Sequence, residues 1–107
     1  MTYICPICGF DGLDEPAYNE FHDPSFEICL YCQFQFGDDD DLELENGLFM
    51  KREETHVIYR QAWIAKGAPI FKPEYYPQQF QFNDSLKKKH MIEQLKNIRI
   101  YQTNIKG

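Results

Sequence analysis

The sequence has no long apolar run and no basic segment followed by an apolar stretch near its first residue. The first absence excludes a membrane-spanning helix, which needs roughly 20 apolar residues. The second indicates that there is no secretory signal, so we expect a cytoplasmic protein. Nucleophile elbows, phosphate-binding glycine loops and paired acid/base motifs are also missing. We therefore expect a protein that is not an enzyme.

Basic residues are few relative to acidic ones. The 107 residues include 11 Lys or Arg and 17 Asp or Glu, which gives a formal net charge of -6. A surface of this sign repels phosphate backbones, so nucleic-acid binding would require a strong local basic patch. Lys87, Lys88 and Lys89 form the only candidate patch, and it is short. The charge balance thus disfavours nucleic acid as a partner.

All four cysteines fall into two Cys-x-x-Cys pairs, Cys5 with Cys8 and Cys29 with Cys32. Two intervening residues let one tight turn direct both sulfurs at the same ion, and two such turns complete a tetrahedral shell. We predict one structural Zn²⁺ per chain, because a closed four-thiolate shell leaves no position for water or substrate. Iron in a rubredoxin-like site, and disulfides or a redox dithiol, are the alternatives.

The residue that follows each pair differs. Gly9 follows the first pair and suits the left-handed backbone conformation that such turns often need. Gln33 occupies the corresponding position after the second pair. The two turns are therefore expected to differ in detail.

The fold class predicted from these patterns is α+β, in one domain over residues 1–107. Short β-prone pieces at 2–4, 26–28 and 34–36 predict a small zinc ribbon with short β-hairpins over residues 1–37. Residues 38–107 are expected to form an acidic loop and a helical subregion.

Two helices are predicted in that subregion. One spans about residues 50–66 and stops before Gly67 and Pro69, and it places Tyr59 and Trp63 on one face for core packing. The other spans 86–97, after several candidate N-caps. The candidate N-caps are Asn83, Asp84 and Ser85. The tail 98–105 alternates partly and would suit a further strand.

Between the helices, residues 68–82 combine three prolines with five aromatic residues. We interpret this segment as an ordered loop, since a solvated linker would not carry so many aromatics. Tyr75, Tyr76, Phe80 and Phe82 then either complete the small core or form an exposed contact patch.

The acidic run Asp38 to Asp41, with Glu43 and Glu45, fails as an EF-hand loop because Leu42 and Leu44 occupy ligand positions. A solvated loop is the simpler interpretation, and contact with a basic partner is the alternative. The three histidines are scattered and form no metal or triad spacing, so no chemical role is expected for them. They are His22, His56 and His90.

Three segments of the N-terminal region resemble the bacterial cysteine-rich CPCC proteins. They are CPICGF at 5–10, FEICLYC at 26–32 and FQFGDDD at 34–40. The resemblance covers about the first 40 residues, extends more weakly to about Phe71, and departs at Ile7, where many members have a further cysteine, and at Leu30, where proline is common. It implies a metal-binding protein, and some relatives are suspected immunity or accessory proteins of bacterial toxin systems.

The function expected from the sequence is a zinc-stabilised protein-interaction module. We expect the contact surface to combine the acidic run at 38–45 with neighbouring aromatic residues, because acidic groups steer encounters and Tyr and Phe supply desolvated interface centres. A nucleic-acid-binding zinc ribbon is the alternative function.

Overall fold

A computed structural model describes residues 2–40, 47–48 and 50–100 of the chain. Within them it has two α-helices, α1 (Arg52–Ala65) and α2 (Lys88–Lys96). A two-stranded antiparallel sheet pairs β1 (Gln81–Phe82) with β2 (Ser85–Leu86). The fold is therefore mixed α+β.

Two short hairpins carry the cysteines. The first knuckle, residues 3–13, is closed by a β-bridge between Tyr3 and Leu13. The second knuckle, residues 28–35, is closed by a bridge between Ile28 and Gln35. Pairing in residues 2–40 is limited to such isolated bridges. The hairpins lie where β-prone pieces were expected, and the zinc-ribbon arrangement as a whole stays a prediction.

Helix α1 agrees with the predicted helix at 50–66 to within two residues at either end. It ends where Gly67 adopts φ +91° and the Gly67 N–H bonds the Ile64 carbonyl. Trp63 is 3% exposed, and Tyr59 is partly buried against the same core. The expected core packing of this helical face is confirmed.

The predicted start of the second helix is wrong. Asn83 and Asp84 adopt φ values of +50° and +61° and form the two-residue turn between β1 and β2. Asn and Asp tolerate the left-handed conformation, so the pair favours a hairpin turn over an N-cap here. Leu86 consequently lies in β2, and α2 begins at Lys88. Of the tail predicted at 98–105, residues 98–100 form no strand, and the rest lies outside the described residues.

The aromatic segment is divided between the core and the surface. The Tyr76 ring lies 4.3 Å from that of Tyr31 and 5.2 Å from that of Phe10, so it packs against both knuckles. Phe80 stacks on His90 at 4.2 Å between ring centroids. Tyr75 and Phe82 are exposed. Tyr76 therefore completes the core as one interpretation expected, and a contact role for the exposed residues stays a prediction.

Backbone hydrogen bonds join the sheet to the second knuckle. The Leu86 N–H donates to the Ala68 carbonyl at 2.9 Å. Three and four residues after Ala68, the Phe71 and Lys72 N–H groups donate to the Tyr31 and Leu30 carbonyls at 3.0 and 2.9 Å. The segment 68–72 thus fixes the second knuckle relative to the C-terminal hairpin.

The start of the acidic run, which is the part that the structure describes, is exposed at two residues and buried at the third. Asp38 and Asp39 are exposed, but Asp40 is 5% exposed. Its carboxylate accepts hydrogen bonds from the Tyr18 hydroxyl and the Gly37 N–H, and it lies 3.7 Å from the Arg52 guanidinium. Asp40 therefore supports the fold and is not available to a partner; residues 41–46 lie outside the described residues.

Candidate metal centre

The four cysteine side chains meet in the interior. Cys5, Cys8, Cys29 and Cys32 are all buried and unbridged, and their sulfurs lie within 4.8 Å of one another. Two sulfur pairs join the knuckles, with Sγ–Sγ distances of 3.8 Å for Cys5–Cys32 and 3.7 Å for Cys8–Cys29. The predicted site residues thus form one cluster that can hold a metal ion.

The two knuckles have the same backbone hydrogen bonds. In the first, the Cys5 N–H donates to Phe10 at 2.7 Å and the Gly9 N–H to Cys5 at 3.0 Å. In the second, the Cys29 N–H donates to Phe34 and the Gln33 N–H to Cys29, both at 3.0 Å. Gly9 and Gln33 also share the left-handed conformation, at φ +85° and +68°. The expectation that their turns differ is wrong for the backbone.

What differs is the space beside each turn. A Cβ atom at Gly9 would lie 2.0 Å from the Gln94 carbonyl oxygen, because the backbone of α2 passes directly over the first knuckle. Gln33 is exposed, so its side chain has room. Glycine is thus required at position 9 by a close approach as well as by its φ value.

Helix α2 is fastened to the first knuckle by two side-chain amides. Gln94 Nε2 donates to the Cys8 carbonyl at 3.1 Å, and Asn97 Nδ2, just after the helix, donates to the Gly9 carbonyl at 2.9 Å. These bonds orient the turn that carries Cys8.

Helix α1 contributes a buried cation. Arg60 is 8% exposed, and its guanidinium donates to the Ile7 carbonyl at 2.6 Å and the Pro6 carbonyl at 2.9 Å. Burial lowers the pKa of Arg60, while the charges of nearby Cys5 and Cys8 raise it. A cation here offsets the negative charge that cysteine thiolates would bring to the interior.

The same helix also contacts the second knuckle. The Tyr59 hydroxyl donates to the Cys32 carbonyl at 2.9 Å. Burial, with the neighbouring Cys32 charge, raises the pKa of Tyr59 to about 12, so the hydroxyl keeps its proton. Both knuckles are therefore fixed by α1.

The four sulfurs are buried away from solvent. Burial raises the pKa of the Cys8 and Cys32 thiols well above the usual value. The Ile7 N–H points at the Cys5 sulfur at 3.4 Å, which is the backbone-to-sulfur contact that knuckle turns provide. Four ionised sulfurs this close would repel one another, so the cluster needs a cation to hold it in thiolate form.

The cysteines were predictable from spacing, but the residues that position them were not. Arg60, Gln94 and Asn97 each bond a backbone carbonyl more than 50 residues away in the chain. The one available signal was that Arg60 shares a helical face with His56 and Trp63. A charged residue on an apolar face is a candidate for a buried structural contact.

The other residues considered in the sequence are not part of this cluster. His56 is buried and its Nε2 lies 2.9 Å from the Tyr18 hydroxyl, so it belongs to the Asp40 contacts. His90 packs on Phe80, and His22 is exposed. Among the described residues, no helix has the length and apolar character needed to cross a membrane.

Comparison with known proteins gives three relatives, all from Bacillus subtilis (strain 168) and all described as uncharacterised. YoaQ is 31% identical over 103 residues, covering 92% of this chain and 87% of the relative. YozI is 30% identical over 113 residues, covering 98% and 93%. YhgB is 40% identical over 104 residues, covering 94% and 97%.

No family model matches the chain, so the resemblance to the CPCC proteins stays a prediction. No solved structure matches it either. The three relatives match over nearly their full lengths, and the cluster of four cysteines is consistent with a small cysteine-rich family. The chain belongs to the family that includes YoaQ, YozI and YhgB of Bacillus subtilis.

Proposed function

We propose that this protein is a non-enzymatic protein-interaction module whose fold is held by one structural Zn²⁺. The ligands are Cys5, Cys8, Cys29 and Cys32, arranged as a zinc ribbon formed by the two knuckles. The observation that carries the proposal is the single buried cluster of four sulfurs.

The sulfur spacing supports a tetrahedral ion. With Zn–S bonds of about 2.3 Å, the edges of a tetrahedral shell are about 3.8 Å long. Two Sγ pairs, at 3.7 and 3.8 Å, have this separation, and all of the pairs lie within 4.8 Å. They are also well beyond a disulfide bond of about 2.0 Å. Four sulfurs in this arrangement suit zinc or iron, and zinc fits a purely structural role because it has no redox chemistry.

A closed shell of this kind supports a structural and not a catalytic ion. All four ligands are side chains buried under the knuckles and the two helices, so the shell has no open position for water or substrate. Function must then reside on the surface, which is why we assign the protein an interaction role. The immunity or accessory role in a toxin system that the CPCC resemblance implies is one setting for such a role.

Elemental analysis of protein purified without added metal tests the metal assignment. We expect one zinc per chain and no iron. Free-thiol counting after denaturation in a chelator should then give four reactive cysteines. Substoichiometric zinc together with disulfides detected by mass spectrometry would contradict the assignment.

Nucleic-acid binding is the second candidate function, and one observation favours it. Residues 66–107 contain 8 Lys or Arg and 3 Asp or Glu, a net charge of +5 in a chain whose total is -6. Lys87, Lys88 and Lys89 are exposed together at the start of α2. Three adjacent exposed lysines are a short basic patch of the kind that phosphate binding needs.

Affinity capture from the native host separates the two functions. We expect a tagged chain to retain a specific protein after nuclease treatment, and a Cys8→Ser, Cys29→Ser double variant that cannot complete the metal shell to lose it. If nuclease removed all captured material, and the chain bound DNA or RNA with strong salt dependence, the nucleic-acid function would replace the protein-interaction function.

A further inference from the structure

A groove runs beside the second knuckle. It consists of two adjoining cavities of about 100 and 260 Å³ that share Cys32, Gln33 and Pro69. The end of α1 forms one wall, with Trp63 and Lys66, and the segment that follows Pro69 forms the other. We call this the knuckle groove, and it lies at the small end of the range of about 300–1,000 Å³ for ligand sites.

The walls of the knuckle groove present polar and apolar surface in similar amounts, and several of their polar atoms are paired. Trp63 Nε1 donates to the Pro69 carbonyl at 2.8 Å, and the Tyr59 hydroxyl donates to Cys32. The side chains of Gln33 and Lys66 are exposed and form no hydrogen bond or ion pair with the described residues. The groove thus offers one carboxamide and one ammonium group to an incoming molecule.

The one Lys, Arg, Asp or Glu residue that lines the groove among the described residues is basic, Lys66. Among the described residues, no Asp or Glu lines either of its cavities. A second cation, Lys72, lies nearby with its Nζ 5.0 Å from the centre of the Phe71 ring, which lines the groove. In contrast, a surface cavity of about 300 Å³ elsewhere on the chain is lined by Glu15 and Asp23.

We propose that the knuckle groove binds a short acidic segment of a protein partner, with an apolar side chain against Phe71 and a neighbouring carboxylate paired with Lys66. The Gln33 carboxamide, which both donates and accepts, bonds a peptide group of the same segment. The aromatic part of the lining supplies the desolvated contact, and Lys66 and Lys72 favour a negatively charged partner. This inference rests on the proposed interaction role and names the partner chemistry for it.

A displayed random peptide library of about twelve residues is the probe, panned against the zinc-loaded wild-type chain. We expect the recovered peptides to share Asp or Glu next to Leu, Ile or Phe. Their affinity should fall about tenfold or more in Lys66→Glu, because that change places a like charge against the carboxylate. It should also fall when salt is raised from about 50 to about 300 mM.

Lys89→Glu is the matched control. Lys89 is exposed on α2 and the substitution changes the net charge equally, so peptide affinity should change less than about twofold if binding is local to the groove. Circular dichroism and zinc content establish that both variants fold. Amide chemical shifts should move at Gln33 and Lys66, and not at Glu15 or Asn19 beside the acidic cavity.

Two results would overturn the groove assignment: recovered peptides that bind Lys66→Glu as tightly as wild type, or a library that yields no acidic peptide. The first result would leave the protein-interaction role intact at another surface. The affinity capture with nuclease treatment tests the protein-interaction role separately. Failure of the groove assignment can therefore be distinguished from failure of the proposed function.

Discussion

At the scale of single residues, Gly9 combines a left-handed backbone conformation with a close backbone neighbour. Its φ is +85°, and a Cβ there would meet the Gln94 carbonyl oxygen. Gly67 has a similar φ of +91°, but nothing lies within 4 Å of its Cβ position. A substitution at Gly67 therefore tests backbone strain alone, whereas one at Gly9 tests backbone strain together with a steric clash.

We predict that Gly9→Ala destabilises the zinc-loaded protein more than Gly67→Ala does. Left-handed strain costs both variants about 1–2 kcal/mol. Gly9→Ala must also displace the backbone of α2, which adds about 1–3 kcal/mol, as for other forced overpacking. Urea unfolding followed by circular dichroism measures the difference. Equal losses in the two variants would show that α2 does not press on the first knuckle.

Cysteine spacing predicted which four side chains meet, but it predicted their backbone conformation only partly. The spacing of the cysteines fixes which sulfurs can share one turn, so the sequence was sufficient for Cys5, Cys8, Cys29 and Cys32. The left-handed conformation of Gln33 was not predicted, because that conformation usually favours glycine and this residue is glutamine. The hydrogen bond from the Gln33 N–H to Cys29 imposes the turn whatever the side chain.

At the scale of elements, a polar cluster joins the turn after the second knuckle to the start of α1. Tyr18 donates to Asp40 and lies 2.9 Å from His56 Nε2, while Arg52 stacks 3.8 Å above the Tyr18 ring. Asp40 also pairs with Arg52. These contacts set where α1 begins relative to the knuckles.

We predict that Asp40→Asn destabilises the fold by about 2–4 kcal/mol, because it removes a buried carboxylate from a hydrogen bond and an ion pair. Asp38→Asn is the control, since Asp38 is exposed, and it should stay within about 0.5 kcal/mol of wild type. Thermal and urea unfolding of both variants measure this. Two equally mild variants would restore the interpretation of this run as a solvated loop.

His56 makes the cluster sensitive to pH. Burial lowers its pKa below 6.5, opposed by Asp40 and Glu53 and assisted by Arg60 and Arg52. The unfolded chain therefore takes up this proton first as the pH falls. The stabilising contribution is complete above about pH 6.5 and is lost as the pH falls towards the folded-state pKa.

We accordingly predict that wild-type stability falls more steeply than that of His56→Gln between about pH 7.5 and 5.5. Because one proton is involved, the slopes of the free energy of unfolding against pH should differ by at most about 1.4 kcal/mol per pH unit. Urea unfolding at constant zinc, compared between the two proteins, removes the effects of groups that they share. Parallel curves would mean that His56 does not titrate differently on folding.

At the scale of the whole molecule, the cluster of four cysteines and the hydrophobic core are continuous. Trp63 is the only tryptophan, and it lies buried on the same face of α1 as Tyr59 and Arg60, which bond the knuckles. Loss of metal should free the knuckles from one another and so loosen this face.

We predict that chelating the metal shifts the Trp63 fluorescence emission to longer wavelength as the ring becomes hydrated, and that added Zn²⁺ reverses the shift. The metal contributes free energy comparable to a whole domain's stability, about 10–16 kcal/mol in small zinc peptides, so its loss should be felt beyond the knuckles. An unchanged spectrum in metal-free protein would show that the helical region folds independently.

The global arrangement was the least predictable feature. Local periodicity located α1 and most of α2, since each has its own pattern of apolar positions. The docking of α2 over the first knuckle depends on contacts between Gln94 and Cys8 and between Asn97 and Gly9. Local sequence patterns do not predict such contacts, because each contact joins a side-chain amide to a backbone carbonyl that is distant in the chain.

Those two contacts span 86 and 88 residues, which has a consequence for how the protein is made. The ribosome adds about 5–20 residues per second, so about 4–18 seconds pass between the synthesis of the first knuckle and of the amides that cover it. All four sulfurs are present once Cys32 has emerged, long before α2 exists. We therefore expect nascent chains to capture metal first, and to spend several seconds with the Cys8 turn open to chaperones, oxidants and competing metals.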